Sequence, residues 1–596
     1  MIRHELPEWL SVSTRELSLA LKILRAVWFF RKKAGNSHAQ IRGALMLVAL
    51  GLASTAGGAP RDISFLQSAQ VVQAYDFMEV TISLDGPDAP NPFVDVMVSG
   101  AFGRAGQPQA IVEGFCDSAD GRLYRIRFMP PSPGEYSYSV NFQQGDYRKE
   151  HRGGFRAVNA NRRGIVRVDP DYPFHFIWEG TGEHYFYNGT TAFFMMGWRE
   201  DAVVNEIIDR LSRLKINRIR AMLAARTSQF WGEPIVPNKD FQICLNPWIA
   251  QRPENVTNPG FDYSRFNLSY WQKWDRMMRY AWEKDMILSV VLDWNDSKVH
   301  PAAGGPDELR YFRYAVARLS AYSNLNWDLG DDITAYHDDQ WAHLVGPLIK
   351  KWDPYRHLIT DHPNSDREPL DRVSEWMDFT SFQEWRRPLH GWMLAQRQKQ
   401  AKLGRIIPQT DEEYGYEDHY PDGSSYGFPD LHSADGNRRA AWEIAMAGTY
   451  QTTGETAKRG TGVWPDTGGG WINGRGDDTM VMLNGYAHMV DFFTGFEWWK
   501  TEPHDDLVDG GAYCLAEPGK IYVVYMPRGG RVTIDLVPGR YQATWLNPRS
   551  GQRVPHSVAE GQKWTSSPTP DLGDWVLYLQ RIGAPRPAAA AGGGGR

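Results

Sequence analysis

The alternation of hydrophobic and polar residues changes character twice along the chain. Between about residues 62 and 165 it runs in short period-two stretches, DFMEVTISLDG, FVDVMVSGAF, LYRIRFMPPSPGEYSYSVNF and GGFRAV, each cut off by Gly or Pro. Half-buried strands joined by tight turns give that rhythm, so this part predicts an all-β sandwich. The prolines of FMPPSPGEYSYSV cannot donate to a ladder and mark an edge turn before Tyr136 and Tyr138 resume the alternation. From about residue 184 strands alternate with amphipathic helices. YFYNGTTAFFMMGW reads as a strand, AVVNEIIDRLSRLKIN as a helix with apolar positions at 3.6 spacing, NRIRAMLA as a strand, SYWQKWDRMMRYAWEKD as a helix and MILSVVLDW as a strand. The series continues through DELRYFRYAVARLSAYS, LNWDLG, DQWAHLVGPLIKKWD, RHLITDHP, a short helix, MDFTSFQEW, LHGWMLAQRQKQAKLG, RIIPQT and RRAAWEIAMAGTYQTTG. Seven or eight β/α units in about 310 residues predict a closed (β/α)8 TIM barrel. After about residue 503 GKIYVVYM, GRVTIDL and GRYQATWL alternate again, predicting a small C-terminal β-sandwich.

The organisation expected is therefore α/β: a barrel over 166–502 between an N-terminal β-sandwich over 61–165 and a C-terminal β-domain over 503–582. Residues 1–60 read as an address. Arg31, Lys32, Lys33 and Arg42 precede the apolar run GALMLVALGLA, and Ser54, Thr55 and Ala56 offer a small-residue cleavage site. Export from a bacterial cytoplasm, to the periplasm or beyond, is the expectation, with no stable membrane span once the leader is removed, because the run is short of a span's length. The tail over 583–596, PAAAAGGGGR at its end, has no means of packing.

At 596 residues the chain is too long for one hydrophobic core, in keeping with this division. A net charge of −6 without a basic stripe argues against a nucleic-acid partner. Cys116, Cys244 and Cys514 lie far apart, without metal-ligand spacing or a disulfide framework, so no cofactor or metal is implied. Aromatic residues make up 13% of the chain, with 24 Trp, and flat apolar rings suit sugar faces as well as cores.

Two acid clusters stand at strand ends, where buried charge is costly unless it does chemistry. LNWDLGDD, 325 to 332, ends in Asp331 and Asp332; DEEYGYE, 411 to 417, follows RIIPQT. Paired carboxylates from separate strands are what a glycosidase needs. In the first, Leu325, Trp327 and Leu329 pack outward by alternation, which turns Asn326, Asp328, Gly330 and Asp332 to the barrel interior and Asp331 away. The same parity sends Ser289 and Asp293 inward. In the second, Ile407, Gln409, Asp411 and Glu413 share a face, but neither face is clearly apolar, so Glu412 and Glu413 both stand. Asp332 could instead cap the element that follows it, and Asp293 could contact a substrate hydroxyl or hold a loop. Trp294, Trp385 and Trp464 sit by predicted strand ends as candidate stacking platforms, and Tyr414 joins them beside the acid pair. The glycine-rich GVWPDTGGGWINGRGDD, 462 to 478, lacks the Lys-Ser/Thr context of a phosphate loop and reads as a loop over the cleft.

The motifs WDLGDD, TDHPN (360 to 364), DFTSFQ (378 to 383) and DEEYGYE, in this order after a β-sandwich, resemble the apiosidase-like glycoside hydrolases. The resemblance covers roughly residues 65 to 580. It implies a retaining (β/α)8 enzyme and a C-terminal domain of the kind labelled collagen-binding. Its strand-four motif Trp-x-Leu-Gly-Gly-Asp places the acid/base on Asp332, with Asp331 standing where the family has its second glycine. The seventh-strand glutamate lands on Glu413 as nucleophile, and His362 and Gln383 fall on positions lining the same mouth. A secreted hydrolase of polysaccharide side chains or oligosaccharides is the function implied; a carbohydrate-binding or cell-surface scaffold with an inactive barrel is the alternative that Asp331 keeps open.

Overall fold

The structure, a computed structural model, describes residues 62–583 apart from 226–239, 242–244, 254, 256–257, 295–298, 366, 418–431, 456–469 and 477–478. The leader, the tail, Cys244 and Trp464 lie outside the described residues. Eight parallel strands form the barrel: β1 (Asn188–Thr191), β2 (Arg218–Met222), β3 (Ile287–Val291), β4 (Leu325–Asp328), β5 (Ile359–Thr360), β6 (Thr380–Phe382), β7 (Gln409–Asp411) and β8 (Tyr450–Glu455). Hydrogen-bonded neighbours run β5-β4-β3-β2-β1-β8-β7-β6, so each strand lies beside its successor and only β5 and β6 share no ladder. One backbone bond, Asp378 N to Ile359 O at 2.8 Å, and two side chains bridge that seam. The Asp378 carboxylate accepts from the Ile359 amide at 2.8 Å, and Thr360 Oγ1 donates to the Phe379 carbonyl at 2.8 Å.

The helices are α1 (Asp201–Arg213), α2 (Leu268–Glu283), α3 (Pro306–Leu319), α4 (Asp339–Trp352), α5 (His390–Lys402), α6 (Ala434–Met446) and α7 (Met482–Phe493). The apolar stripe of α1, Val204, Ile207, Ile208 and Leu211, is buried as its spacing requires. The short helix expected between β5 and β6 is absent: the described residues there are turns and irregular chain, rich in Pro and Asp, which favour turns over helix. A feature the periodicity did not announce is a three-stranded antiparallel sheet, Val166–Val168, Phe176–Trp178 and His184–Tyr185. It plugs the N-terminal end of the barrel with Phe176, whose ring lies 5.6 Å from Tyr187, 5.7 Å from Phe379 and 5.4 Å from Tyr450.

The N-terminal domain is a sandwich of a four-stranded and a five-stranded sheet around a shared apolar core that includes Val80, Ile126, Val140 and Phe142. It docks on α2 and α3 through charge: Asp275 lies 2.6 Å from both Arg127 and Arg318, and Arg318 also reaches Asp117 at 2.9 Å. The C-terminal domain is a six-stranded sheet with a two-stranded ribbon. It rests on α6, where Arg438 pairs with Asp574 at 2.7 Å and Trp442 stacks on Tyr525. Cys116 and Cys514 are free and buried. Among the described residues no helix is long and apolar enough to cross a membrane.

Candidate active site

The C-terminal mouth of the barrel is organised from β2. Its run RIRAM places Arg218 and Arg220 on the inner face at period two, with Ile219 and Ala221 behind them, and all are buried. Arg218 reaches across the lumen to Asn326 Oδ1 at 3.1 Å, Ser289 Oγ at 2.6 Å and Glu412 Oε1 at 2.8 Å. One layer nearer the mouth, Arg220 lies 3.2 Å from Asp328, 2.7 Å from Asp331 and 3.0 Å from Glu412. Two buried guanidinium groups are thus matched by three carboxylates. Removing one member of such a network leaves a buried charge unpaired, at a cost of about 3–5 kcal/mol.

Alternation holds while the strand lasts. Asn326 and Asp328 face the lumen, and Trp327 faces outward to donate to Asp353. It fails one turn later. β4 ends at Asp328, and Asp332 adopts a left-handed conformation, φ 52°, at the head of a 3₁₀ turn, Ile333–Ala335. Asp331, expected to point away, therefore turns inward and is 2% exposed, with Oδ1 2.7 Å from Arg220 and 3.0 Å from His362 Nδ1. Asp332 is half-buried and occupies the cap position of that turn without a side-chain cap bond. One polar atom each of Asp331, Asp332 and His362 lie within 4.8 Å of one another. Side chains of these types could hold a divalent ion, but Arg220 already neutralises Asp331.

At β7 the inner face carries Thr410 and Glu412, while Gln409 faces outward to Arg372. Glu412 is fully buried; besides both arginines it accepts from the Tyr187 hydroxyl. Glu413 lies two residues past the strand's end at Asp411, is 9% exposed, and meets the Tyr416 hydroxyl. The two acids that strand parity could not separate thus have opposite surroundings. Burial pushes Glu412 up, but Arg218 and Arg220 outweigh it and hold its carboxyl below the usual range. Burial and the charges of Asp331 and Asp332 raise Glu413 well above that range, against Arg220 and Tyr416. Asp331 is held low by Arg220 and His362 against its burial, whereas burial takes Asp328 to about 8. Burial thus favours the protonated forms of Asp328 and Glu413, and the two arginines favour the ionised forms of Asp331 and Glu412.

The remaining sequence candidates divide. His362 is fully buried beside Asp331, and burial together with Arg220 lowers its proton affinity. Gln383 is half-buried, with a buried Oε1 that has no hydrogen-bond partner. Trp385 packs edge-on against Tyr416 and His432, and Trp294 against Phe193 and Phe194. Tyr414 is not at the mouth surface: it is 0% exposed and its hydroxyl is shared by Gln451 and Tyr486 at 2.7 and 2.6 Å. It faces the helix layer because the chain turns over after β7, and Tyr416 is the tyrosine that meets Glu413. Asp293 is inward of the loops but has both oxygens engaged, with His300 at 2.9 Å and His337 at 2.8 Å, so it holds structure instead of offering itself to a hydroxyl. Glu417 caps α7, accepting from the Val481 and Met482 amides at 3.0 and 3.2 Å. Sequence reasoning passed over Arg218 and Arg220, although two arginines at period two in the apolar run NRIRAMLA were a signal of inward-facing cations.

The family model described as the apiosidase-like catalytic domain matches residues 175–455, from the Phe176 plug through β8. The barrel is an apiosidase-like catalytic domain. Ahead of it, a model described as a domain of unknown function, DUF5060, matches residues 71–143. The apiosidase-like barrel and its flanking domains are similar in structure to a protein of Bacteroides vulgatus described as a candidate glycoside hydrolase, at TM-score 0.72 and 18% identity over 86% of this chain and 100% of that one. A glycoside hydrolase family 5 protein of the same organism aligns at TM-score 0.54 and 17% identity, covering 70% of this chain and 93% of its own. No curated protein matches the chain in sequence. The fold is that of glycoside hydrolases of known structure.

Proposed function

We propose that the protein is an exported retaining glycosidase that cleaves a glycosidic bond in a polysaccharide side chain or an oligosaccharide, with Glu413 as nucleophile and Asp332 as acid/base. One observation carries the assignment: of the two adjacent acids at each strand end, Asp331 and Glu412 are held as carboxylates against Arg218 and Arg220, while Glu413 lies close enough to Asp331 and Asp332 for their charges to raise its proton affinity. Glu412 has both oxygens engaged by Arg218, Arg220 and Tyr187 deep in the lumen, which leaves Glu413 as the acid of its pair nearer the mouth.

In the first step Glu413 attacks the anomeric carbon as Asp332 protonates the departing oxygen; in the second Asp332 takes a proton from water, which displaces Glu413 from the glycosyl-enzyme. Attack requires the retained proton to sit on Asp332 and not on Glu413. Arg220 and the Tyr416 hydroxyl, both facing Glu413, stabilise the carboxylate that results. Such a site titrates as a unit, so its pH profile reports the cluster.

The test has two stages. Release of sugars from a panel of plant and bacterial glycans and aryl glycosides identifies a substrate, and the matching 2-deoxy-2-fluoro glycoside then traps the covalent intermediate. Mass spectrometry is expected to find the label on Glu413, and NMR to find retained anomeric configuration. A label on Asp332 would reverse the roles, and inversion of configuration would eliminate the double displacement.

A further inference from the structure

We infer that Asp293 and His337 form a clamp that positions Asp332, so that the end of β3 controls proton donation by the acid at the end of β4. This rests on the assignment of Asp332 above. Asp332 and His337 flank the 3₁₀ turn Ile333–Ala335, and Asp332 is left-handed, a conformation that costs a non-glycine residue about 1 kcal/mol and persists only when its surroundings impose it.

The turn is held from two sides. Toward β5, the Ile333 amide donates to the His362 carbonyl at 2.9 Å, and Thr334 Oγ1 bonds Asn364 Oδ1 at 2.9 Å. Toward β3, His337 reaches across, its Nε2 lying 2.8 Å from Asp293 Oδ2, both side chains being 5% exposed. The backbone adds a weaker tie, Asp331 N to Asp293 O at 3.3 Å.

Asp293 is itself fixed. Its Oδ1 accepts from the Trp294 amide at 2.7 Å and lies 2.9 Å from His300 Nδ1, while His300 Nε2 lies 2.8 Å from the Ala225 carbonyl just past β2. Both nitrogens of His300 thus face oxygen acceptors, which an ionised Asp293 satisfies only if both carry hydrogens. His337 is fixed in turn by stacking on Trp341, ring centroids 3.7 Å apart and planes within 7°, and Trp341 Nε1 donates to Glu308 at 3.1 Å. The clamp therefore ties the ends of β2 and β3 and the heads of α3 and α4 to the turn that carries Asp332. Neither Asp293 nor His337 needs to touch substrate; both are positioning residues.

A misplaced proton donor has a signature that general loss of structure lacks. Acid assistance matters for a poor leaving group and little for a good one, so kcat/KM should fall on an alkyl glycoside and hold on a 2,4-dinitrophenyl glycoside of the same sugar. His337→Phe keeps the stacking on Trp341 and removes the hydrogen bond. We expect it to lose about 10- to 50-fold on the alkyl glycoside and less than about 3-fold on the dinitrophenyl one, since positioning is worth that much of a general acid's contribution of about 10²–10⁴. His337→Gln, whose amide nitrogen reaches the place of Nε2, should restore most of it. Asp293→Asn, nearly isosteric, gives the same contrast should the phenylalanine variant not fold. Equal losses on both substrates, or none, would overturn the clamp. Asp332→Ala run alongside keeps the two claims apart: if it shows no leaving-group contrast the assignment of Asp332 fails, and if it does while the His337 and Asp293 variants do not, the clamp alone fails.

Discussion

The ends of β4 and β7 each carry two adjacent acids, Asp331 with Asp332 and Glu412 with Glu413, and Arg220 touches one member of each pair. The pairs reach this arrangement by different routes. At β7 the neutralised member, Glu412, lies on the inner face of the strand's own alternation, and Glu413 is delivered to the mouth by the turn beyond it. At β4 the neutralised member, Asp331, lies three residues past the strand, where the chain has left the extended course and turns at the left-handed Asp332. One pair is sorted by strand geometry, the other by a strained turn. Two like charges side by side in sequence need not act as a doubled charge: a shared cation can neutralise one and leave its neighbour in an acidic field.

The sharpest way to break this comparison is to exchange the fates of the two glutamates. Glu413→Ala is expected to cut kcat by at least roughly 10³-fold on an aryl glycoside while the protein stays folded, as for loss of a nucleophile. Glu412→Ala should instead cost about 3–5 kcal/mol of stability, read from the urea midpoint, because Arg218 and Arg220 lose a shared partner in a dry lumen. If the alanine variant at 412 were as stable as the parent, the division of labour within the pair would be wrong.

Stability against pH separates the two acids by sign. Glu412 has a folded pKa below its ordinary value of 4.5, so its contribution is complete above that value and is lost as pH falls through the depressed one. Glu413 is raised above 4.5, so the folded state binds the extra proton and stability declines as pH rises from about 4.5 toward the raised value. Glu413→Gln is therefore expected to raise the Tm at pH 7–8 and to leave it unchanged near pH 4, whereas Glu412→Gln should lower it at pH 7. A Tm for Glu413→Gln that moves equally at both pH values would contradict the raised assignment. The smallest effect is kinetic: Asp331→Gly removes one of the charges that raise Glu413, so the acid limb of kcat/KM should move to lower pH. An unmoved limb would show that burial, the larger cause, acts alone.

The alternation of strands and helices announced the barrel and its two β-rich flanks because amphipathic helices and buried strands have periods that survive in a single sequence. It did not announce the plug of Val166–Tyr185, whose strands of two and three residues are too short to show a period, nor α7, nor the missing helix before β6. At the site, parity was sound for Ser289, Asn326 and Asp328, which lie at or inside strand limits, and failed for Asp331, which lies beyond one. Tyr414 was lost for the same reason, since a turn separates it from β7 and sends its hydroxyl to Tyr486. Residue type and order pointed to the acids; only the turns told them apart.

The seam between β5 and β6 bears on how the molecule moves. Elsewhere around the barrel each strand is held by repeated backbone bonds, but here a single backbone bond, Asp378 N to Ile359 O at 2.8 Å, is joined by the Asp378 carboxylate, which also pairs with Lys350, and by the Thr360 hydroxyl. So few separate ties can release one at a time, whereas a ladder must part as a unit. The barrel thus has a built-in weak meridian, running up to His362 and Gln383 at the mouth, along which its circumference can widen without any other strand pair separating.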